Sequence, residues 1–517
     1  MFRLSLALFL FTASRLCAQQ ERVDLNAIYK IKTAEFGFTA GKPNSQLADL
    51  AFHLTDLYGP RLTNSPQFRR AADWAIKQLR DWGIGNVHTE KWTAPANSPR
   101  PSWECTYFNA SMVEPTYQQL IGGPQPWTPA TPGSVTAEVI VPHGPDTLEE
   151  IESMRGKYTG KILLGGTGAP TPLPLPEASL VQRYTPEELA KRSAEKIRVL
   201  NPFPPSPAPS SFDAEIDKKI DEFWVRENPL AVIMSGDGMP SPVPFQGGTF
   251  LSVFRREGPP PSTTVFLAAE HYNRIARLVA RNIPVKVQLE IRTAVDESFK
   301  DESFNIIGEI PGGSKKDEVV MVGAHLDSWA AGTGATDNGI GCAVIMEAMR
   351  ILHGLKLPMD RTVRMALWSG EEGGVLGSKG YVKEHAADLH EKLSVYLNLD
   401  HGTGRIQGIY LRHNQSSRPI FEDWFASLKD LTLGAVLIRN DEEDMPGQGS
   451  DHMSFDAAGL PAFSFLQDAL DFDTRTRHTN MDTFDRIQFE DAEQMAVVVA
   501  SFLYNAATRP DKLPRKE

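Results

Sequence analysis

The 517-residue chain holds only three cysteines, Cys17, Cys105 and Cys342. Cys17 lies in an N-terminal stretch that reads as a cleaved leader, so the mature chain keeps a pair, and a disulfide framework is excluded. Cys342 sits inside the nearly all-apolar run GIGCAVIMEAMRIL and reads as a packing residue. Basic residues are also in deficit: 53 Lys and Arg against 65 Asp and Glu give a formal net charge of −12. That balance makes a nucleic-acid backbone or an anionic membrane surface an unsuitable partner. Beyond the N-terminus no segment offers about eighteen uninterrupted apolar residues, so stable membrane insertion is not expected. No internal repeat is visible.

What is present begins with MFRLSLALFLFTASRLCAQQ. Arg3 provides a short positive region, Leu4 to Ala13 an apolar core, and Leu16-Cys17-Ala18 an end suited to cleavage before Gln19. The pattern is that of a secretory signal peptide over residues 1–18 and predicts a secreted or periplasmic protein. A lipoprotein reading is poorer, because bulky Leu16 precedes Cys17.

Residues 19–117 contain NSPQFRRAADWAIKQLRDWG, whose Ser65 cap, Pro66 in the first turn and apolar face from Phe68 to Trp82 predict a helix ended by Gly83. Residues 118–292 change character. Short β-branched runs (SVTAEVIVPHG, GKILLGG, LAVIMSGDG) separated by Gly and Pro predict a β-rich module inserted into a larger domain. Its own excursion consists of Pro-rich APTPLPLPEA and NPFPPSPAPSS, read as stiff spacers, around a helix capped at Thr185-Pro186-Glu187-Glu188. A second helix follows, with Phe212, Ile216, Ile220, Phe223 and Trp224 at helical spacing. Over 293–517 the pattern becomes strand, loop, helix, strand. FNIIGEI, EVVMVGAHLDS, TVRMALWSG and LSVYLNLDHG each run from an apolar strand into a polar loop, which argues for an α/β fold with a mostly parallel sheet and helices on both faces.

In such sheets ligands bind at the carboxyl ends of the strands. There the sequence places His325 and Asp327, then Asp337 just before the buried helix, then Glu371 and Glu372, then Asp400. His478 arrives much later, in RTRHTNMDTFDRI. Oxygen and imidazole donors without sulfur suit a catalytic zinc-type site rather than a structural one. His325 and Asp400 could hold one metal and Glu372 and His478 another, with Asp337 between them. Asp327, two residues past His325, is expected to face the same way and orient its imidazole. Glu371 is then free to act as general base.

These motifs, AHLDSW with GATDNGIG, LWSGEEGGVLGS, YLNLDHGTG and RHTNMDTFDRI, resemble the co-catalytic zinc exopeptidases of the MH clan, which include leucine aminopeptidases and carboxypeptidase Q. The β-rich insert resembles their protease-associated (PA) domain. The resemblance implies two zinc ions per chain, with His325, Asp337 and Asp400 on one and Asp337, Glu372 and His478 on the other. It also implies Glu371 as base, Asp327 as the partner of His325, and a cis peptide at Asp337-Asn338.

The expected substrate is a peptide or dipeptide, with carboxypeptidase Q-like dipeptidase action favoured over aminopeptidase action. A glutaminyl-cyclase-like activity and a non-catalytic receptor-like role fit the insert and the intact ligand set less well. Which terminus is read stays open at this level. A free α-amine wants carboxylates, and Asp441 to Asp444 precede the late loop. A free α-carboxylate wants a cation, and Arg475 and Arg477 flank His478. Asp451, His452 and Arg477 are the candidate substrate contacts. The insert could serve as a substrate lid or as the surface of a homodimer.

Overall fold

The computed structural model describes residues 21–93, 101–143, 148–166, 168–170, 181–194, 214–236, 262–300, 302–437 and 449–516. The expected leader, most of the Pro-rich runs and the acidic run Asp441 to Asp444 lie outside the described residues.

An eight-stranded sheet carries the chemistry. Its order is Ala435–Leu437, Ile406–Tyr410, Ala462–Gln467, Leu393–Asn398, Lys315–His325, Arg361–Trp368, Phe304–Ile310, Gly85–Lys91. Its central pairings, Lys315–His325 with Arg361–Trp368 and with Leu393–Asn398, and Leu393–Asn398 with Ala462–Gln467, are parallel. The expectation of a mostly parallel sheet holds at this centre and fails toward the edges. Phe304–Ile310 runs antiparallel to both of its neighbours, and Ile406–Tyr410 runs antiparallel to Ala462–Gln467. Apolar runs specify burial on both faces, not the direction of an edge partner, and that is why the edges differ.

Alternate residues of the central strands enter different cores. Val320, Val322, Ala324, Val363, Met365 and Leu367 pack with the helices Ile340–Leu355 and Phe489–Thr508, while Met321, Ala366 and Trp368 pack with Tyr381, Leu389 and Phe455 on the other face. Each fully buried aliphatic side chain there contributes about 1.5–3 kcal/mol. The helix Pro66–Asp81 forms as its sequence predicts. Ser65 accepts a hydrogen bond from the Phe68 amide, Pro66 takes the first turn, and Phe68, Ala71, Ala72, Ala75 and Leu79 are buried.

A second eight-stranded sheet is built from strands between Ser102 and Asp296. Its backbone is the long antiparallel pairing of Ser102–Glu114 with Lys286–Asp296, and Val135–Ile140, Ile162–Leu164 and Ala231–Ser235 follow in parallel. The sheet therefore also takes in chain on the N-terminal side of 118–292. The helix Pro186–Ala194 opens with a reciprocal cap, the Thr185 amide donating to Glu188 and the Glu188 amide to Thr185 Oγ1. This excursion docks back on the first sheet. Gln182 forms a β-bridge with Leu470, Arg183 pairs with Asp468 and Asp491, and Leu189 packs on Leu437 and Leu466.

Candidate metal centre

Strand geometry positions the first donors. The strand Lys315–His325 ends at His325, whose Nδ1–H donates to the backbone carbonyl of Asp327 at 2.9 Å. That leaves Nε2 as the lone-pair nitrogen, 3.0 Å from Asp400 Oδ1 and 3.2 Å from Asp337 Oδ1. The other oxygen of Asp337, Oδ2, lies 3.3 Å from His478 Nε2, and the same nitrogen is 3.1 Å from Glu372 Oε2. The donor atoms of His325, Asp337 and Asp400, and those of Asp337, Glu372 and His478, each lie within 4.8 Å of one another.

This donor set fits a pair of divalent cations. A neutral imidazole cannot point its lone pair at carboxylate oxygens without a proton or a cation between them. Burial lowers the affinity of His325 for a proton, yet Asp400, Glu371 and Asp337 raise its pKa well above the usual value. At His478 burial also works downward, and Glu372 and Asp337 outweigh it, raising its pKa to about 9. Asp337 moves the opposite way: burial pushes it up, but hydrogen bonds and charge from the flanking imidazoles hold its pKa below the carboxylate range. A metal would occupy the positions where protons otherwise gather.

The loops around these donors are tightly held. Asp337-Asn338 is a cis peptide, as the resemblance implies. Asp482 accepts the amide N–H groups of Thr336 and Asp337 at 2.5 and 3.2 Å, and Asn338 Nδ2 donates to the Leu399 carbonyl at 2.8 Å. The thiol of Cys342, a buried packing residue as expected, donates to the His325 carbonyl at 3.0 Å, and Cys105 and Cys342 are both free. Gly370 turns the chain into Glu371 and Glu372 at φ +69, where a Cβ would meet the Trp92 ring at 2.7 Å.

Asp327 differs from expectation. Its carboxylate is 3.9 Å from His325 Nδ1. It accepts instead from Thr63 Oγ1 at 2.7 Å and from the Glu371 amide at 3.2 Å. Strand alternation stops at His325, so the i, i+2 relation no longer aims the Asp327 side chain. The carboxyl of Glu371 is raised well above the usual range, first by burial and then by the charges of Asp400, Asp451 and Glu372.

Residues 305–503 match peptidase family M28. That match and the likeness to carboxypeptidase Q support an exopeptidase of that family. Carboxypeptidase Q of Homo sapiens is 26% identical over 479 residues, spanning 92% of this chain and 88% of that protein. The solved structure of a peptidase M28 precursor from Shewanella amazonensis SB2B superposes with a TM-score of 0.66 at 25% identity, covering 95% of this chain and 98% of that one. BSAP, a zinc aminopeptidase from Bacillus subtilis, shares the fold with a TM-score of 0.52 at 18% identity, covering 90% and 95% of the two chains.

Around this centre the remaining candidates separate. Asp451 and His452 are buried. Burial raises the Asp451 carboxyl to about 7, with Asp400 and Asp327 adding to the rise and His325 opposing it. Arg477 is exposed beside His478, and the acids Asp337, Asp473, Glu372 and Asp400 raise its pKa against the effect of desolvation. Among the described residues no helix is long and apolar enough to cross a membrane.

Sequence reasoning missed the residues that hold the site from behind. Arg61 is fully buried and donates to the carbonyls of Leu54, Leu326, Thr333 and Gly334. Thr63 holds Asp327, and Asp482 holds the Asp337 loop. Only Asp482 carried a signal, through its place in RHTNMDTFDRI.

Proposed function

We propose that the chain is an exported dinuclear zinc dipeptidase of the carboxypeptidase Q kind, acting on short peptides with free termini. The observation that carries the dinuclear reading is the divided carboxylate of Asp337, with Oδ1 toward His325 and Oδ2 toward His478. His325, Asp337 and Asp400 would hold one zinc, and Asp337, Glu372 and His478 the other.

Bound zinc supplies an acidified water and a polarised scissile carbonyl. Glu371 accepts the proton of the attacking water and returns it to the leaving amine; burial raises its proton affinity above that of an ordinary carboxylate. The Asp327 carboxylate fixes Glu371 through its amide. Arg477 supplies the exposed cation for a free α-carboxylate, which favours a reader of the carboxyl end. Similarity to carboxypeptidase Q over most of both chains supports the same choice. Residues 1–18 are read as the export signal, and sequencing the N-terminus of secreted protein tests that.

The functional test is hydrolysis of a free dipeptide, a dipeptide amide and an N-acetyl dipeptide by zinc-loaded protein, with chelated protein as control. Cleavage of the free dipeptide alone is expected. Cleavage of the amide makes the protein an aminopeptidase, and cleavage of the acetylated form makes it a carboxypeptidase of wider range.

A further inference from the structure

His478 stands apart from the other donors. It lies on a loop rather than at the end of a strand, and its backbone is left-handed at φ +56, a conformation non-glycine residues hold only when their surroundings impose it. One of those surroundings is the indole of Trp329, which meets the imidazole edge-on with ring centroids 5.9 Å apart and planes at 66°.

Trp329 is itself held by a small apolar cluster with Leu62, Trp103 and Trp127, all buried. Leu62 is local, from the segment in which Arg61 pairs with Ser328. Trp103 belongs to the second sheet, and Trp127 to the turn that follows its strand Gly122–Pro124. Trp103 lies in the strand Ser102–Glu114, opposite Val295, and its indole N–H donates to the Thr128 carbonyl at 3.0 Å. The Trp127 indole N–H reaches back to the Pro101 carbonyl at 3.2 Å. Each indole thus pins the backbone next to the other, and together they present a stiff surface to Trp329.

We propose that Trp103 of the second sheet and Trp127 of the turn beside it, acting through Trp329, fix the orientation of His478 and thereby set the metal affinity of the Asp337–Glu372–His478 position. The second sheet then holds a ligand of the catalytic centre in place, and Trp329 is a positioning residue rather than a catalytic one. The inference rests on the reading that this donor group holds one of a pair of zinc ions.

The test is a titration of the metal-free full-length chain with Zn2+ against a competing chelator, reading stoichiometry and the affinity of each ion. Wild type is expected to bind a pair of ions, and His478→Ala to lose one, which identifies it. Trp329→Ala, Trp103→Ala and Trp127→Ala are each expected to weaken that same ion by roughly 10- to 100-fold and leave the other unchanged. Trp329→Phe, which keeps a ring edge toward His478, should restore the affinity. In a His478→Ala background, Trp103→Ala should change nothing further.

If Trp103→Ala and Trp127→Ala only lower the unfolding temperature and bind both ions as wild type does, the cluster is packing alone and the proposal falls. Should the alanine variants not fold, Trp103→Leu and Trp127→Leu are held to the same criterion. A wild type that binds fewer than two ions overturns the dinuclear reading first, and that result is distinct from the tryptophan outcomes.

Discussion

The imidazole of His325 is oriented by the backbone of Asp327, not by its side chain: Nδ1 donates to the Asp327 carbonyl at 2.9 Å, while the carboxylate lies 3.9 Å away and accepts from Thr63 and the Glu371 amide. The usual carboxylate–histidine pairing is thereby split. The carbonyl sets the tautomer of the donor, and the carboxylate sets the position of the base. Asp327→Asn should therefore keep zinc at the wild-type level per chain, since the carbonyl survives. Its kcat should fall by roughly 100-fold, the effect expected when a catalytic group is misplaced by about 1 Å. Metal analysis beside steady-state kinetics checks this, and loss of zinc would show that the carboxylate itself holds the site.

Glu371 stands outside both donor groups, although it is adjacent to Glu372. Glu371→Gln should lower kcat by roughly 10²- to 10⁴-fold, the range for removal of a general base, with zinc content unchanged. Glu372→Gln should instead reduce the metal content. Comparing the paired variants by metal analysis and kinetics separates binding from proton transfer at neighbouring positions.

Arg477 is exposed next to His478, and the acids of the centre raise its pKa against desolvation. A charged hydrogen bond to a substrate carboxylate contributes about 1.5–3 kcal/mol. Arg477→Met should accordingly raise KM for a free dipeptide by roughly 10- to 100-fold and leave kcat nearly unchanged. An unchanged KM would remove Arg477 from recognition and return the choice of terminus to the acids.

The donors were legible because parallel central strands are continuous apolar runs, and the first polar residues past them fall at one edge of the sheet. This placed His325, Asp337, Glu372 and Asp400 in one region before any coordinates. Three relations were hidden, each for a physical reason. The side chain of Asp327 turns away because the strand, and its alternation, ends at His325. The antiparallel edge at Gly85–Lys91 depends on its pairing with Phe304–Ile310 across more than two hundred residues, and no local pattern encodes that. Arg61 and the contact of Trp329 with Trp103 and Trp127 are likewise tertiary, and in sequence they read only as an ordinary arginine and scattered aromatics.

A last prediction lies away from the metal centre. Glu35, on the helix Leu25–Phe36, is almost fully buried beside Glu347 of the helix Ile340–Leu355. Arg350 binds both oxygens of Glu347, at 2.7 and 2.6 Å. Burial, then the charge of Glu347, raises Glu35 to about 9 from an ordinary 4.5. Its folded pKa is the higher one, so between these values the folded chain keeps a proton that the unfolded chain releases. The stabilisation from this group is complete below pH 4.5 and is lost as pH rises through 9, at a slope of up to about 1.4 kcal/mol per pH unit. Glu35→Gln mimics the protonated acid without its titration. The variant should flatten the fall in stability between pH 6 and 9 and be more stable than wild type at the alkaline end. Urea unfolding at several pH values measures both effects, and an unchanged slope would mean that Glu35 is ionised in the folded chain.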